Sequence, residues 1–454
     1  HAQVNHDDNF TSTITGVAAA ADLKTINTAT SGIITATGVT AITGSASDVT
    51  DVLAVETNQG NPGQQIDLDT DFTVTVSDTG NVSALTLTNI DDNTPGNVTV
   101  TNTVTLTGTA AQIRLAAQRD AATTLQLAAD FGATVNAGSV AATDLTTIVG
   151  QTSATIDATA ATAITGTAEE VAAAINHGQV NHDADFNVTL SAAAATGLQL
   201  TDIDAATSAV VDASLVTTIS GTAAQVAAAA ELDRLATTNL KADFGVTISD
   251  TGSVAATDLT KITARTNQTI DATAVTAITG TASAVVAAID DGQVNHDDNF
   301  LVTLTADSTA AAADLKTINT ATSGIITATG VTAISGSISD INDVLAAETS
   351  QGNAGQQIDL DTDFTVTVSD TGSIAATTLT TLDSGVPGTV TVTNTVTLTG
   401  TAEEIAAAAT ADANGTLALA ADFGATVDAG SVAATDLTTI VGQTSATINA
   451  TGAE

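Results

Sequence analysis

Apolar and hydroxyl residues alternate in short runs along the chain, as in Phe72-Thr-Val-Thr-Val-Ser77. Period two places one set on each face of a strand, and Thr and Val both favour extended backbone. Other segments have a helical rhythm. In Ala141-Ala-Thr-Asp-Leu-Thr-Thr-Ile148 the Leu and Ile stand three apart, which predicts one or two helical turns. The Ala-rich runs predict a further short helix. Thr109-Ala-Ala-Gln112, Thr167-Ala-Glu-Glu170, Thr222-Ala-Ala-Gln225 and Thr401-Ala-Glu-Glu404 all match a capping box, in which hydroxyl and carboxylate or amide each satisfy one free helix amide. The second predicts a helix over 168–176 with Val171 and Ile175 on one face. Ser77-Asp-Thr-Gly80, Ser249-Asp-Thr-Gly252 and Ser369-Asp-Thr-Gly372 read as turns.

These elements recur. The eight phenylalanines, the only aromatics, fall at nearly even spacing: Phe10, Phe72, Phe131, Phe186, Phe244, Phe300, Phe364 and Phe423. Each follows Asp or Asn. A Gly that opens each Ala-rich run (Gly44, Gly108, Gly166, Gly221, Gly280, Gly336, Gly400) follows its Phe at an almost constant distance. The distance from that Gly to the next Phe is looser, so insertions collect after the Ala-rich run. The chain is thus an array of about eight units, each of about 59 residues: 1–62, 63–121, 122–176, 177–234, 235–290, 291–354, 355–413 and a truncated 414–454. Each unit reads as two half-units of strand and short helix, neither with enough apolar bulk for its own core. We expect an elongated repeat solenoid, β-rich with short capped helices (α/β or β-solenoid), whose Val, Ile, Leu and Phe stack in one continuous column. The rival is a string of small β-domains, against which stands the lack of a recurring linker. Pro62, Pro95 and Pro387 are the only prolines.

A longer repeat overlies the first. Asn295-His-Asp-Asp-Asn-Phe300 repeats Asn5-His-Asp-Asp-Asn-Phe10, and Thr438-Thr-Ile-Val-Gly-Gln443 repeats Thr146-Thr-Ile-Val-Gly-Gln151, an offset of 290 growing to 292. Five units form a super-repeat. The chain opens just ahead of its first Phe and stops inside its eighth unit, so we expect it to be a window on a longer protein.

Composition narrows the function. The formal charge is -42, with 50 acids against 8 bases. The bases (Lys24, Arg114, Arg119, Arg234, Lys241, Lys261, Arg265, Lys316) form no patch in the sequence, which excludes nucleic-acid binding and attraction to anionic lipid. No apolar run approaches the roughly 20 residues of a membrane helix, so no membrane insertion is expected in this window. At 43% hydrophobic and 13% charged, with periodic apolar positions, the chain is folded rather than a solvated acidic coil. Cys, Met, Trp and Tyr are absent, which leaves little for oxidation to damage and points to the cell exterior.

Units such as Asp243-Phe-Gly-Val-Thr-Ile-Ser-Asp-Thr-Gly-Ser-Val-Ala-Ala-Thr-Asp-Leu-Thr-Lys-Ile262 resemble those of giant repetitive bacterial cell-surface proteins, in the style of marine and cyanobacterial S-layer proteins and large adhesins. The resemblance spans the whole chain and rests on composition, without a signature motif. It implies an extracellular, structural or adhesive role. The Gly-Gly-x-Gly-x-Asp nonapeptide of the RTX family does not occur, so no calcium sites carry over from it.

The candidate chemistry lies ahead of the phenylalanines. Asp67, Asp69 and Asp71 alternate, as do Asp359, Asp361 and Asp363. On a strand they would project from one face about 7 Å apart, with like charges adjacent. Calcium, which takes six to eight oxygens, would relieve that repulsion. Asp78 and Asp370 stand where an EF-hand has its twelfth ligand, but Phe72 and Phe364 occupy the place that demands Gly, so this is no EF-hand. Asp183, Asp185, Asp297 and Asp298 complete the candidate calcium set. The competing reading makes all of them solvated carboxylates that shield a sheet edge. His6, His182 and His296 recur in Asn-His-Asp, one His and no Cys each, and read as loop residues rather than zinc ligands. The Asp-Thr-Gly tripeptides at Asp78, Asp250 and Asp370 share one repeat register and read as turns, not as protease sites. Asn81, Asn97, Asn187 and Asn267 each begin Asn-x-Ser/Thr, offering glycan sites.

These readings converge on a non-enzymatic structural protein of the cell exterior. It would self-associate into a filament, sheath or surface layer. The alternative is the stalk of a large adhesin whose binding domain lies outside this window. More remote is an ice-binding array built on threonine ladders such as Thr99-Val-Thr-Asn-Thr-Val-Thr-Leu-Thr107.

Overall fold

The computed structural model describes residues 6–57, 65–305, 308–349 and 357–452; Pro62 lies outside them. The chain forms two compact units, His1–Thr217 with Leu232–Lys241, and Thr218–Glu231 with Ala242–Glu454. Both are repeat solenoids built of one coil type: strands, a tight turn, then a helix.

In the first unit Gly138–Ala141, Ala161–Gly166, Asn187–Leu190, Val211–Ala213 and Thr238–Leu240 pair side by side, all parallel, each strand from the next coil along the chain. Paired residues stand one coil apart. Ile156 pairs with Val180 across a short coil, and Ile42 with Val74 across a longer one, where an insertion follows the helix. The second unit repeats the plan, with Ser253–Ala255, Ala277–Gly280, Leu301–Leu304, Ile326–Ala328 and Ile358–Leu360 in one parallel sheet. Its long coil again carries the insertion and pairs Ile334 with Val366.

The sheets are staggered. Gly138–Ala141 runs straight into its helix, whereas Thr238–Leu240, at the far edge of the same sheet, is the first strand of its coil. Each sheet therefore drifts along the coil and stops after a few strands. Apart from the first sheet, which opens with Ser12–Ala19, the opening strand is only three or four residues long, which leaves little open ladder for unwanted pairing.

Both predicted helix types are present and equivalent. Ala142–Val149 buries Leu145 and Ile148; Ala168–Ile175 buries Val171 and Ile175. Capping boxes close at Thr109, Thr167 and Thr401, reciprocal bonds join Thr222 and Gln225, and Thr196 with Gln199 adds one more. The Gly before the cap has a structural task. At Gly221 and Gly400 φ is +146° and +143°, a region closed to side chains, and each carbonyl accepts an amide of the next coil, from Ser249 and Asp428 at 2.8 Å.

The core differs from expectation in one respect. The rings of Phe131, Phe244 and Phe423 are fully buried, but no two phenylalanine rings pair among the described residues. Successive phenylalanines are two coils apart, which at strand spacing is about 10 Å. The coil between supplies fully buried aliphatics such as Ile156 and Ile164, so continuity rests on strand pairing and Val, Ile and Leu, not on an aromatic stack.

Three helices end alike. Thr123, Ala236 and Gly415 take left-handed backbone (φ +68°, +60° and +79°), and each amide bonds the carbonyl three residues back, from Asp120, Asp233 and Asp412. Only Gly415 adopts that region without strain; an L-residue there costs about 1–2 kcal/mol. After the extra unfolded-state entropy of Gly, Thr123→Gly and Ala236→Gly should each stabilise by about 0.5–1 kcal/mol. Denaturant midpoints of the single variants check this; a fall in midpoint would refute it.

Candidate functional site

The most regular polar construction surrounds six of the eight phenylalanines. The hydroxyls of Thr30, Thr152, Thr266, Thr322 and Thr444 donate to the carbonyls of Phe10, Phe131, Phe244, Phe300 and Phe423 at 2.5 Å, and Thr207 to Phe186 at 2.6 Å. Each Thr oxygen also accepts the amide two residues on, as from Ala154 to Thr152 at 3.1 Å. Where Ser follows the Thr, its amide bonds the carbonyl two residues before the Phe, as Ser153 to Ala129 at 3.0 Å and Ser323 to Asp298 at 2.8 Å. This clasp ties the turn of one coil to the start of the next. Sequence patterning alone did not reveal it, although a Thr-Ser or Thr-Asn pair follows six of the phenylalanines at an almost constant distance.

The Asp-Thr-Gly aspartates have a cohesive task. Oδ2 of Asp78, Asp250 and Asp370 accepts the first helical amide of the preceding coil's helix, from Ala46 at 2.6 Å, Ala223 at 2.6 Å and Ile338 at 2.8 Å. A carboxylate at a helix N-terminus meets unpaired amides and the positive end of the helix dipole. The side-chain amides of Asn102 and Asn394, one coil further on, bond the carbonyls of Asp78 and Asp370.

The other candidate calcium ligands do not form the expected row. The strands end at Leu68 and Leu360, where the Phe turn begins, so only Asp67 and Asp359 are strand residues. Asp67 accepts from the Thr57 hydroxyl at 3.3 Å and Asp69 from the Thr70 amide at 2.7 Å, while Asp71 and Asp363 are exposed. Asp359 and Asp361 line a cleft of about 400 Å³ with Glu348, Phe364, Val386 and Pro387. Asp183, Asp185, Asp297 and Asp298 are exposed turn residues, and Asp183 and Asp297 each accept the next amide. Among the described residues no three His, Cys, Asp or Glu side chains are grouped to hold a metal ion. His6, His182 and His296 sit edge-on to Phe10, Phe186 and Phe300, with ring centroids 4.8–4.9 Å apart.

Strand register gathers outward hydroxyl, carboxylate and amide groups into ladders. Thr134, Asp157 and Asn181 stand side by side, as do Thr189, Asp212 and Asn239, and Thr247, Asp271 and Asn295. The hydroxyl and amide of Thr273 hold the Asp271 carboxyl below its ordinary range. Several threonine hydroxyls turn back onto the preceding coil: Thr107, Thr165, Thr279 and Thr399 donate to the carbonyls of Val82, Val140, Val254 and Ile374 at 3.2–3.4 Å. Of the Asn-x-Ser/Thr asparagines, Asn81, Asn97, Asn187 and Asn267 are all exposed, and Asn187 donates to the Thr162 carbonyl.

On the helix layer, bases cross from coil to coil. Lys24 meets Asp48 and Asp51 of the next helix, and Lys316 meets Asp340 and Asp343. Arg114 reaches Asp144 of the following helix, and Arg119 reaches Asp91 and Asp92 of the preceding one. The lysines are held above their ordinary pKa, Lys24 chiefly by its bond to Asp51 and Lys316 by its bond to Asp343. Asp48 and Asp340 are held below theirs, first by the hydroxyls of Ser45 and Ser337, then by the lysines. A depressed carboxylate contributes stability above its unfolded pKa of about 3.9 that disappears as pH falls. A raised lysine contributes stability below about 10.4 that disappears as pH rises. These pairs should therefore hold across the neutral range and weaken at both ends. All are open to solvent, so the effect is small. Melting curves from about pH 3 to about pH 11 on the Lys24→Met/Lys316→Met variant check it: the acid and alkaline slopes should flatten relative to wild type.

No helix among the described residues is long and apolar enough to cross a membrane. No family model and no curated protein matches the chain. Among solved structures, the plant peptide hormone receptor RGFR1 in complex with RGF2 aligns with 98% of this chain and 76% of its own at 10% identity and a TM-score of 0.16. The LRR ectodomain of the plant membrane receptor kinase GASSHO1/SCHENGEN3 from Arabidopsis thaliana, in complex with CASPARIAN STRIP INTEGRITY FACTOR 2, aligns over 93% and 48% at 10% identity and a TM-score of 0.15. The chain spans about half of that second ectodomain. Likeness this slight carries no argument about ligand or activity, and the solenoid assignment rests on the strand register.

Proposed function

We propose that this chain is a non-enzymatic structural protein of the cell exterior, working as part of a filament, sheath or surface layer. One observation carries the reading: polar side chains recur at one register of the repeat as ties between neighbouring coils. Threonine clasps, aspartate caps and lysine and arginine bridges all join one coil to the next. Arrays of this kind offer extended surfaces whose head-to-tail contacts propagate without closing. The acid-rich, cysteine-free composition and the exposed hydroxyl and carboxylate ladders suit an exterior setting and leave room for glycans.

The adhesin stalk stays the alternative, since a stalk needs the same cohesion; a distinct, non-repetitive end domain in a longer gene product would favour it. The ice-binding reading loses support because several ladder hydroxyls direct their protons to backbone carbonyls. Negative-stain imaging of the purified chain, with calcium and with chelator, tests the main reading. Ordered filaments or sheets are expected in at least one condition. Dispersed single particles in both would overturn it, and assembly only with calcium would make the turn carboxylates intermolecular ligands.

A further inference from the structure

Six of the eight phenylalanine turns carry the clasp, and two do not. At Phe72 and Phe364 the position equivalent to the clasp threonine is followed by proline, in Thr94-Pro-Gly96 and Val386-Pro-Gly388. Proline has no amide proton, so the bond that Ser323 makes to the Asp298 carbonyl has no counterpart there. The Thr hydroxyl is diverted or missing as well. Thr94 turns its hydroxyl back to Ile90 of its own helix at 2.7 Å, and Val386 has none. The turn is left with the Gly96 amide on the Phe72 carbonyl at 3.0 Å, and that of Gly388 on Phe364 at 3.1 Å.

Two further features mark both places, and a third marks the second. Phe364 is the super-repeat copy of Phe72, so the proline turn occurs once per five units. Each stands in the coil that follows the long step, from Ile42 to Val74 and from Ile334 to Val366. At the second, Phe364, Val386 and Pro387 border the cleft of about 400 Å³. Elsewhere the clasp closes the phenylalanine turn; here it is missing.

We propose that these proline turns are built-in compliant joints: the junctions at Phe72 and Phe364 open before the clasped ones, giving each super-repeat one point of yield. In a repeat stack, stability is a sum of coil and junction contributions, so one weakened junction sets where local opening starts. Two missing hydrogen bonds of ordinary net strength correspond to roughly a tenfold or greater rise in the opening equilibrium.

Hydrogen exchange read by mass spectrometry on the whole chain tests this without requiring assembly. Within the second unit, the amides of Val366 and Gly388 should exchange about tenfold faster than those of Val302 and Gly324, their counterparts at the clasped Phe300 turn. Equal protection would overturn the proposal. Val386→Thr/Pro387→Ser rebuilds the Thr322-Ser-Gly324 sequence and should bring exchange at Val366 down toward that at Val302. Pro95→Ser, which leaves Thr94 in place, should do the same at Val74. Faster opening at the joints that the rebuilt turns fail to slow would also count against it, since the cause would then lie outside the clasp.

Discussion

Phe131→Ala should destabilise the chain by about 3–5 kcal/mol, the largest single-site loss expected outside backbone disruption. The ring is fully buried and is the only aromatic of its two-coil unit. It is also pinned by its own backbone, because its carbonyl is held by Thr152 at 2.5 Å. The surrounding side chains belong to paired strands and cannot collapse into the space without breaking register. Most of the cavity cost should therefore persist. In a repeat stack the loss is local, so the unfolding transition should broaden or split as coils on either side of the defect uncouple. Phe131→Leu refills most of the volume and should cost under about 1.5 kcal/mol. Phe10→Ala is the internal control, since Phe10 is only half-buried and should cost clearly less. Chemical denaturation with an independent calorimetric scan measures both. A loss below about 1 kcal/mol for Phe131→Ala would show that the phenylalanines merely mark the repeat and do not hold it.

Thr152→Val is expected to cost about 2–3 kcal/mol, second only to the ring deletion. The substitution keeps shape and removes the hydroxyl. Two groups lose their partner together, the Phe131 carbonyl and the Ala154 amide. Thr152 itself is 6% exposed, so water cannot readily replace the lost bond. Thr152→Ser keeps the hydroxyl and should recover most of the loss, separating the hydrogen bond from the packing of the γ-methyl. Denaturant midpoints of both variants decide the matter. If Val and Ser prove equally stable, the clasp contributes no net stability, and the case for compliant proline turns weakens with it.

Local features were largely legible. The pairing of Thr167 with Glu170 spans three residues, and a capping box can be recognised without knowing what the helix packs on. The period of the phenylalanines announced the array, and the alternation around Val74 and Val76 announced a strand with one buried face. Site reading failed where partners are far apart in the chain. Asp78 looked like a turn former or a metal ligand, yet it accepts from the Ala46 amide in the preceding coil. Thr152 carried no signal within its own segment, because its partner is the Phe131 carbonyl at the start of the coil before. The row expected across Asp67, Asp69 and Asp71 did not form because the strand ends at Leu68, a limit set by the tight turn into Phe72.

Interactions that close within about one helical turn or one strand pair leave a spacing in the sequence, because geometry at that range is nearly independent of context. The order of strands and capped helices and the repeat were accordingly properties of the sequence alone. Which aspartate caps which helix, which threonine holds which phenylalanine and how the sheets step along the coils were decided only when the coils stacked. A parallel register brings residues one coil apart into contact, and a single-residue slip would exchange every buried side chain for an exposed one.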